Sequence, residues 1–326
     1  MSKPSMNLLM LALLSAMLFS HPACAQAVDA FPTKPVTLIT PAAAGNSPDV
    51  AARIVADRLT QIWKQQVLIL NRPGAGGLIA ALAASQAEPD GYTLYMTQAS
   101  TYTVLPVMQE KLPFDLDRAF VPIGLVGEQP IAVAVTPDLP VSTLPELMAL
   151  ARKTPGGMLY GATNRGGQSH LTGELLRMKA DLPLTFVHAS GAAASINDVT
   201  TGRIPIVFEA IAGLAGAIQG KLVKPLAVAS AQRLPNLPEL PTFAETLPGF
   251  ESKGWLALMA PAGTPDAIVA KISGDLQTAL AHPEVRDKLA TLGTYVRALS
   301  PADTAAFIRR EQALWWPIVR AVNEGK

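Results

Sequence analysis

Short β-rich runs alternate with stretches of helical spacing along almost the whole chain, and that alternation limits what the chain can become. "PVTLIT" (35–40) leads into "DVAARIVADRLTQI" (49–62), where Val50, Ile54, Val55, Leu59 and Ile62 recur at the spacing of one helix face. "VLIL" (67–70), a glycine-rich turn and "GLIAALAASQA" (77–87) repeat the pattern, and Asp90-Gly91 turns the chain into "YTLYM" (92–96). A second series offers strands at 131–135, 158–162, 184–188, 204–208 and 225–229, with helices near 143–152, 168–180 and 192–201. After a proline-rich passage (235–248), "GWLALMA" (254–260) precedes two long helical patterns, 265–281 and 301–322. Strands separated by helices do not close as hairpins, so this order predicts an α/β fold with a mostly parallel sheet. With 326 residues, 49% of them apolar, the chain has material for two core-bearing lobes.

The first residues read differently. Lys3, the apolar run from Met6 to Phe19 and the exit Ala23-Cys24-Ala25 make a secretory signal, with cleavage expected after Ala25. The apolar run is too short for a bilayer, which needs roughly 20 residues. A lipid anchor at Cys24 is the alternative, although His21-Pro22-Ala23 lacks the leucine that such sites favour. Cleavage after Ala25 removes the only cysteine, leaving no thiol or disulfide, as suits a periplasm-like compartment. Charged residues are only 16% and the net charge is +1, with no basic run, which argues against a nucleic-acid partner.

Three loops of small residues sit at strand-to-helix junctions. In "PAAAGNSPD" (41–49), Ala42, Ala43, Ala44, Gly45, Asn46 and Ser47 separate the first strand from the first helix. "NRPGAGG" (71–77) and "GATNRGGQSH" (161–170) are the second and third. Small side chains let backbone N–H groups approach an anion, and helix starts favour negative charge at that sheet edge. Together the loops predict a cleft lined by backbone donors. The second loop lacks the G-x-G-x-x-G spacing of a dinucleotide site, so no cofactor is expected.

Several helix starts share one grammar: Ser47-Pro48-Asp49, Thr264-Pro265-Asp266 and Ser300-Pro301 each place a capping hydroxyl before proline. Asp49 is then either a helix-start charge or a contact to a ligand. His170 and Glu174 are one helical turn apart, but no third-ligand pattern accompanies them, so no metal site is expected. His282, before Pro283, reads as surface. No G-x-S-x-G elbow exists, and a periplasmic hydrolase using His170, Glu174 or His188 is the rival reading. Glu209 ends the strand "IPIVF", facing either a cleft or solvent, and Trp315-Trp316 are expected to pack against the first lobe.

The chain also resembles the substrate-binding proteins of tripartite tricarboxylate transporters, the Bug-type receptors. The resemblance rests on "FPTKPVTLITP" (31–41), "NRPGAGG", "PDGYTL" (89–94), "LPFD" (112–115) and "HLTGELL" (170–176), among others. "LAVASAQRLPNLPELPTFAE" (226–245), "APAGTP" (260–265) and "FIRREQALWWPIV" (307–319) extend it over essentially the whole mature chain. It implies a two-lobed type II periplasmic binding fold, with lobe 1 from 26–125 plus 252–326 and lobe 2 from 126–251. It further implies a monomeric, non-enzymatic receptor that closes on a small carboxylated solute and delivers it to a membrane permease. A sensory module using the same closed form is a variant of that reading.

The family's ligand positions fall here on Ala42 to Ser47, Gly76, Gly77, Thr163, Asn164, Arg165, Gly166, Gly167 and Ser169, with His170, Ala189, Gly191 and Glu209 beside them. This sequence departs from the common P-F-P-P-G-G-G-x-D first loop, losing an aromatic wall and two glycines and gaining Asn46. Ala162, Asn164 and Gly167 replace a serine, a glycine and a serine, and the usual V-P-Y-K-G is Val187-His188-Ala189-Ser190-Gly191. A frequent aspartate is Glu209. These changes imply a roomier pocket, and Arg165 is placed to pair with a second carboxylate.

Overall fold

The computed structural model describes residues 30–109, 111–163 and 165–324. The expected signal segment with Cys24, and Asn164 of the third loop, lie outside the described residues.

The chain builds β1 (Val36–Thr40), α1 (Ser47–Trp63), β2 (Val67–Asn71), α2 (Leu78–Ser85) and β3 (Thr93–Gln98) in succession. Three short helices follow, α3 (Ala99–Thr103), α4 (Leu105–Met108) and α5 (Leu116–Ala119), and then the long strand β4 (Phe120–Val135). The second lobe adds α6 (Leu144–Lys153), β5 (Met158–Thr163), α7 (Gln168–Ala180), β6 (Leu184–Ala189) and α8 (Ala192–Thr200). It continues through β7 (Ile206–Ala210), α9 (Ile211–Gln219) and β8 (Lys224–Val228). The chain then returns on β9 (Lys253–Pro261), α10 (Asp266–Ala281), α11 (Pro283–Thr291), β10 (Tyr295–Val296) and α12 (Pro301–Glu324).

Strand order is β2-β1-β3-β9-β4-β7-β5-β6, with β10 and β8 also paired to β4. Strands β1, β2 and β3 are parallel, as are β5, β6 and β7. The sheet is nevertheless mixed rather than mostly parallel, because the chain crosses between the halves on strands of opposite direction. From Phe120 to Pro130, β4 pairs antiparallel with β9; from Ile131 to Val135 it pairs antiparallel with β7 and β8. One strand therefore belongs to both lobes.

Helix α1 shows how the faces are chosen. Its buried residues are Ala51, Ala52, Val55, Ala56, Leu59 and Trp63, while Val50, Ile54 and Ile62 stay half-buried. The alanines admit the helix close to the sheet, so the packed face is rotated from the one that the larger side chains suggested. It ends at Lys64, whose φ of 55° is left-handed.

The capping grammar holds at one site of three. Ser300 Oγ accepts from Asp303 N–H. At α1 the cap is Asn46, not Ser47, and Thr264 Oγ1 donates back to the Pro261 carbonyl instead of capping α10. Trp315 also differs from expectation: it is fully buried in the core of the second lobe, among Tyr160, Leu171 and Phe250. Trp316 turns the other way, its indole N–H donating to the Tyr102 carbonyl of the first lobe at 3.1 Å. Helix α12 thus clasps both lobes.

Strand β10 lies so close to β4 that a Cβ on Gly127 would sit 2.7 Å from the Tyr295 carbonyl oxygen. We expect Gly127→Ala to cost about 1–3 kcal/mol in urea denaturation by displacing β10. Gly216→Ala, in α9 with open space around it, should be neutral or slightly stabilising.

Candidate functional site

Strand direction decides where the loops meet. β4 runs with β3 and leaves the first lobe at the edge where β1, β2 and β3 end; it enters the second lobe at the edge where β5, β6 and β7 end. Both sets of loops therefore border the crossover. The third loop reaches across, since a Cβ on Gly166 would lie 3.6 Å from Val104 in the first lobe. The turn after α11 leans on both sides as well. Ser47 Oγ donates to the Leu292 carbonyl at 3.3 Å, and Gly293 packs against Ala212 at the start of α9.

The first loop is shaped from within by Asp49, which is 1% exposed. Its carboxylate accepts from Gly45 N–H at 2.8 Å, from Arg53 Nε at 3.0 Å and Nη2 at 3.1 Å, and from Asn71 Nδ2 at 2.7 Å. Asn71 Nδ2 also donates to the Ala42 carbonyl, pinning the loop to the end of β2. Burial pushes the Asp49 carboxyl up, but these hydrogen bonds outweigh it and hold it below the usual carboxylate range. Asp49 is occupied on both oxygens, so it organises the loop and does not reach out to a ligand. The Gly45 amide is occupied with it, the Asn46 amide donates to Ala43, and the buried Ala42 amide donates to Thr40 Oγ1. Exposed Ala43 and Ala44 are left with N–H groups that have no partner among the described residues.

The second loop turns on glycines. Gly76 and Gly77 have φ of 65° and 99°, and a Cβ on Gly77 would sit 2.5 Å from Thr101 Oγ1. The Gly77 amide closes a turn onto Gly74, so it is not a free donor, whereas Gly76 is exposed. Thr101 is buried against Gly77, and its hydroxyl has no partner among the described residues. Nothing in its sequence context singles it out.

In the third loop His170 is a scaffold. Its Nδ1 accepts from Gly166 N–H at 2.9 Å, and its ring lies 4.0 Å from that of Phe186. Burial pushes the imidazole down to about 4, against the pull of Glu174. Glu174 is itself taken by the Tyr160 hydroxyl at 2.7 Å and Arg177 Nε at 2.8 Å. His188 is exposed on the next strand. No base, nucleophile and orienting group converge here, and among the described residues no set of three His, Cys, Asp or Glu could hold a metal ion. Thr163 and Gly167 are half-buried, and exposed Arg165 lies over the Phe186 ring at 5.5 Å.

Helices α2, α7, α8 and α9 start with no side-chain cap, unlike α1 and α6. Their first N–H groups therefore lack internal partners, apart from those that loop groups satisfy. Gly191 precedes α8 in open space, and Ala189 is buried behind it. At the end of β7, Glu209 is 6% exposed; Ser169 Oγ donates to its Oε1 at 3.2 Å and Ala210 N–H donates at 2.9 Å. Burial pushes its carboxyl up, the two hydrogen bonds opposing.

The family described as "Tripartite tricarboxylate transporter family receptor" matches residues 51–324. A UPF0065 protein from the tcbD-tcbE intergenic region of Pseudomonas sp. strain P51 is 31% identical, over 90% of this chain and 88% of that one. Protein BugT of Bordetella pertussis is 29% identical, over 90% of each chain. Among solved structures, MatC from Rhodopseudomonas palustris with bound malate gives a TM-score of 0.71 at 29% identity, covering 89% of this chain and 100% of that one. An R. palustris protein with adipate gives 0.76 at 30% identity, covering 90% and 98%.

His170 carries a pH signature. Its folded value lies below the ordinary 6.5, so its contribution to stability is full above about pH 6.5 and is lost as pH falls toward 4. The loss should reach up to about 3 kcal/mol. His170→Asn, whose amide oxygen replaces Nδ1 as acceptor for Gly166, should lack that acid-side decline when both proteins are melted from pH 7 downward. Glu209 and Glu311, held up by burial, act with the opposite sign, and comparison with the variant subtracts them.

Proposed function

The chain belongs to the tripartite tricarboxylate transporter receptor family, and from that premise we propose that it captures a small carboxylated solute and hands it to a membrane permease. The observation that carries this reading is the arrangement of bare backbone donors along the two facing sheet edges: Ala43, Ala44, Gly76, and the uncapped starts of α7 and α8. An anion suits such a site, because helix starts and loop amides present partial positive charge without a mobile cation. The relatives that carry malate and adipate support a carboxylate as the cargo class.

The magnitudes are adequate. Micromolar capture needs about −8 kcal/mol, and hydrogen bonds to a charged group contribute roughly 1.5–3 kcal/mol each. Three or four amides with some apolar contact therefore suffice. In this reading the lobes are residues 26–125 with 252–326, and 126–251, and they close about the crossover where β4 changes partners between Pro130 and Ile131. The first 25 residues act as an export signal cleaved after Ala25, the mature protein works in the periplasm as a monomer, and it binds without catalysing.

A thermal-shift screen of the mature protein against mono-, di- and tricarboxylates tests the reading. We expect dose-dependent stabilisation by one class of acids; a flat response from a folded protein would overturn it. We also expect Arg165→Ala to weaken dicarboxylates about tenfold while leaving monocarboxylates nearly unchanged, since its exposed guanidinium suits a second carboxylate. Equal losses for both classes would remove Arg165 from the site.

A further inference from the structure

Two helix starts meet at one buried carboxyl, and the start of a third lies beside them. Ser169, second residue of α7, and Ala210, just before α9, both donate to Glu209 Oε1. A Cβ on Gly213 in the first turn of α9 would lie 3.3 Å from Glu209 Cγ and 4.0 Å from Ala192 Cβ, the first residue of α8. All three helices start without a side-chain cap. Within this focus Glu209 Oε2 is buried and has no partner among the described residues. A buried carboxylate oxygen without a hydrogen bond is costly, so this one calls for a partner that the described residues do not supply.

We propose that Glu209 Oε2 is the specificity-determining acceptor of the site, and that the solute is a carboxylic acid bearing a hydroxyl or ammonium hydrogen that donates to it. The inference rests on the receptor reading above and deepens it. Both hydrogen-bond donors already supplied by the protein go to Oε1, so Oε2 is the oxygen left for the solute. The three helix starts favour the ionised carboxylate, and burial opposes it. A donor hydrogen from the solute tips that balance toward the charged form. A second bare carboxylate brought to the same oxygen would instead face an uncompensated like charge. Glu209 thereby distinguishes hydroxy and amino acids from their unsubstituted parents, which bring no hydrogen at neutral pH. A site built around such a bond rejects analogues that lack it more strongly than an apolar pocket rejects a missing methylene.

Isothermal titration at neutral pH against matched series tests this: succinate, malate and aspartate, then glutarate, 2-hydroxyglutarate and glutamate. We expect at least one substituted acid to bind about tenfold or more tightly than its parent. In Glu209→Gln the amide oxygen can take the two donors, leaving an NH2 group where Oε2 was. That exchange turns an acceptor into a donor, so the preference should vanish or reverse. Equal affinity for parent and substituted acids in the wild-type protein would overturn the proposal, as would an unchanged preference in Glu209→Gln. The wild-type ratio needs no variant, so it decides even if the substituted protein fails to fold. Failure of every acid to bind would overturn the receptor reading together with this one, whereas binding without discrimination overturns this one alone.

Discussion

Lys253 places an ammonium group, 3% exposed, at the point where the chain crosses between lobes, and the crossover is organised around it. A buried cation is tolerated only with partners. Here they are Glu251 at 2.5 Å and Glu128 at 3.4 Å, the latter shared with Arg297. Glu128 lies on β4, Glu251 and Lys253 at the entry to β9, and Arg297 just after β10. Three stretches of chain, distant in sequence, are thereby held in one register. Glu311 of α12 adds a second tie, accepting from the indoles of Trp255 and Trp315 at 3.2 and 3.3 Å. Its carboxyl is pushed up by burial, with Lys253 drawing it down. The two lobes are joined through packed charge and aromatic contact rather than through a slack linker.

That junction also bears on the site. Ser252, beside Lys253, accepts from Gln168 Nε2 at 2.9 Å, and its hydroxyl lies 2.5 Å from that of Thr172. Both residues belong to the first two turns of α7, the helix that the third loop opens. Crossover and loop therefore share side chains, and movement at one is felt at the other. The recognition surface proposed above is largely backbone. Asp49, Asn71 and His170 hold the loops in place through Gly45, the Ala42 carbonyl and Gly166, so little loop ordering is left for a ligand to impose, which lowers the entropic cost of binding. The departures from the usual family pattern fall on both kinds of position: Ala43 and Ala44 are exposed, whereas Ala42, Ala162, Ala189 and Glu209 are buried.

Much of this was legible in the chain. Alternating runs such as "PVTLIT" and "VLIL" became β1 and β2 in place, and the three small-residue loops do open helices at the strand ends. The first half of β4 was hidden, because Pro122, Gly124, Gly127 and Pro130 read as breaks. Two register shifts against β9 absorb the irregularity, and Gly127 is needed where β10 crowds the strand. The helices α9 and α11 were also missed, the first behind a strand end and the second behind His282-Pro283.

Periodicity and small-residue loops are local, so the sequence by itself determined the α/β class, the order of the main strands and longer helices, and the three small-residue loops that open helices at strand ends. Which groups are free for a ligand depends on who else reaches them, and that is a matter of long-range packing. Asp49 looked available until Arg53 and Asn71 closed on it, and His170 until Gly166 and Phe186 did. Glu209 acquired its open oxygen only because Ser169, forty positions earlier, takes the other one. Only the tertiary structure decides such partnerships, because a hydrogen bond depends on distance in space and not on separation along the chain.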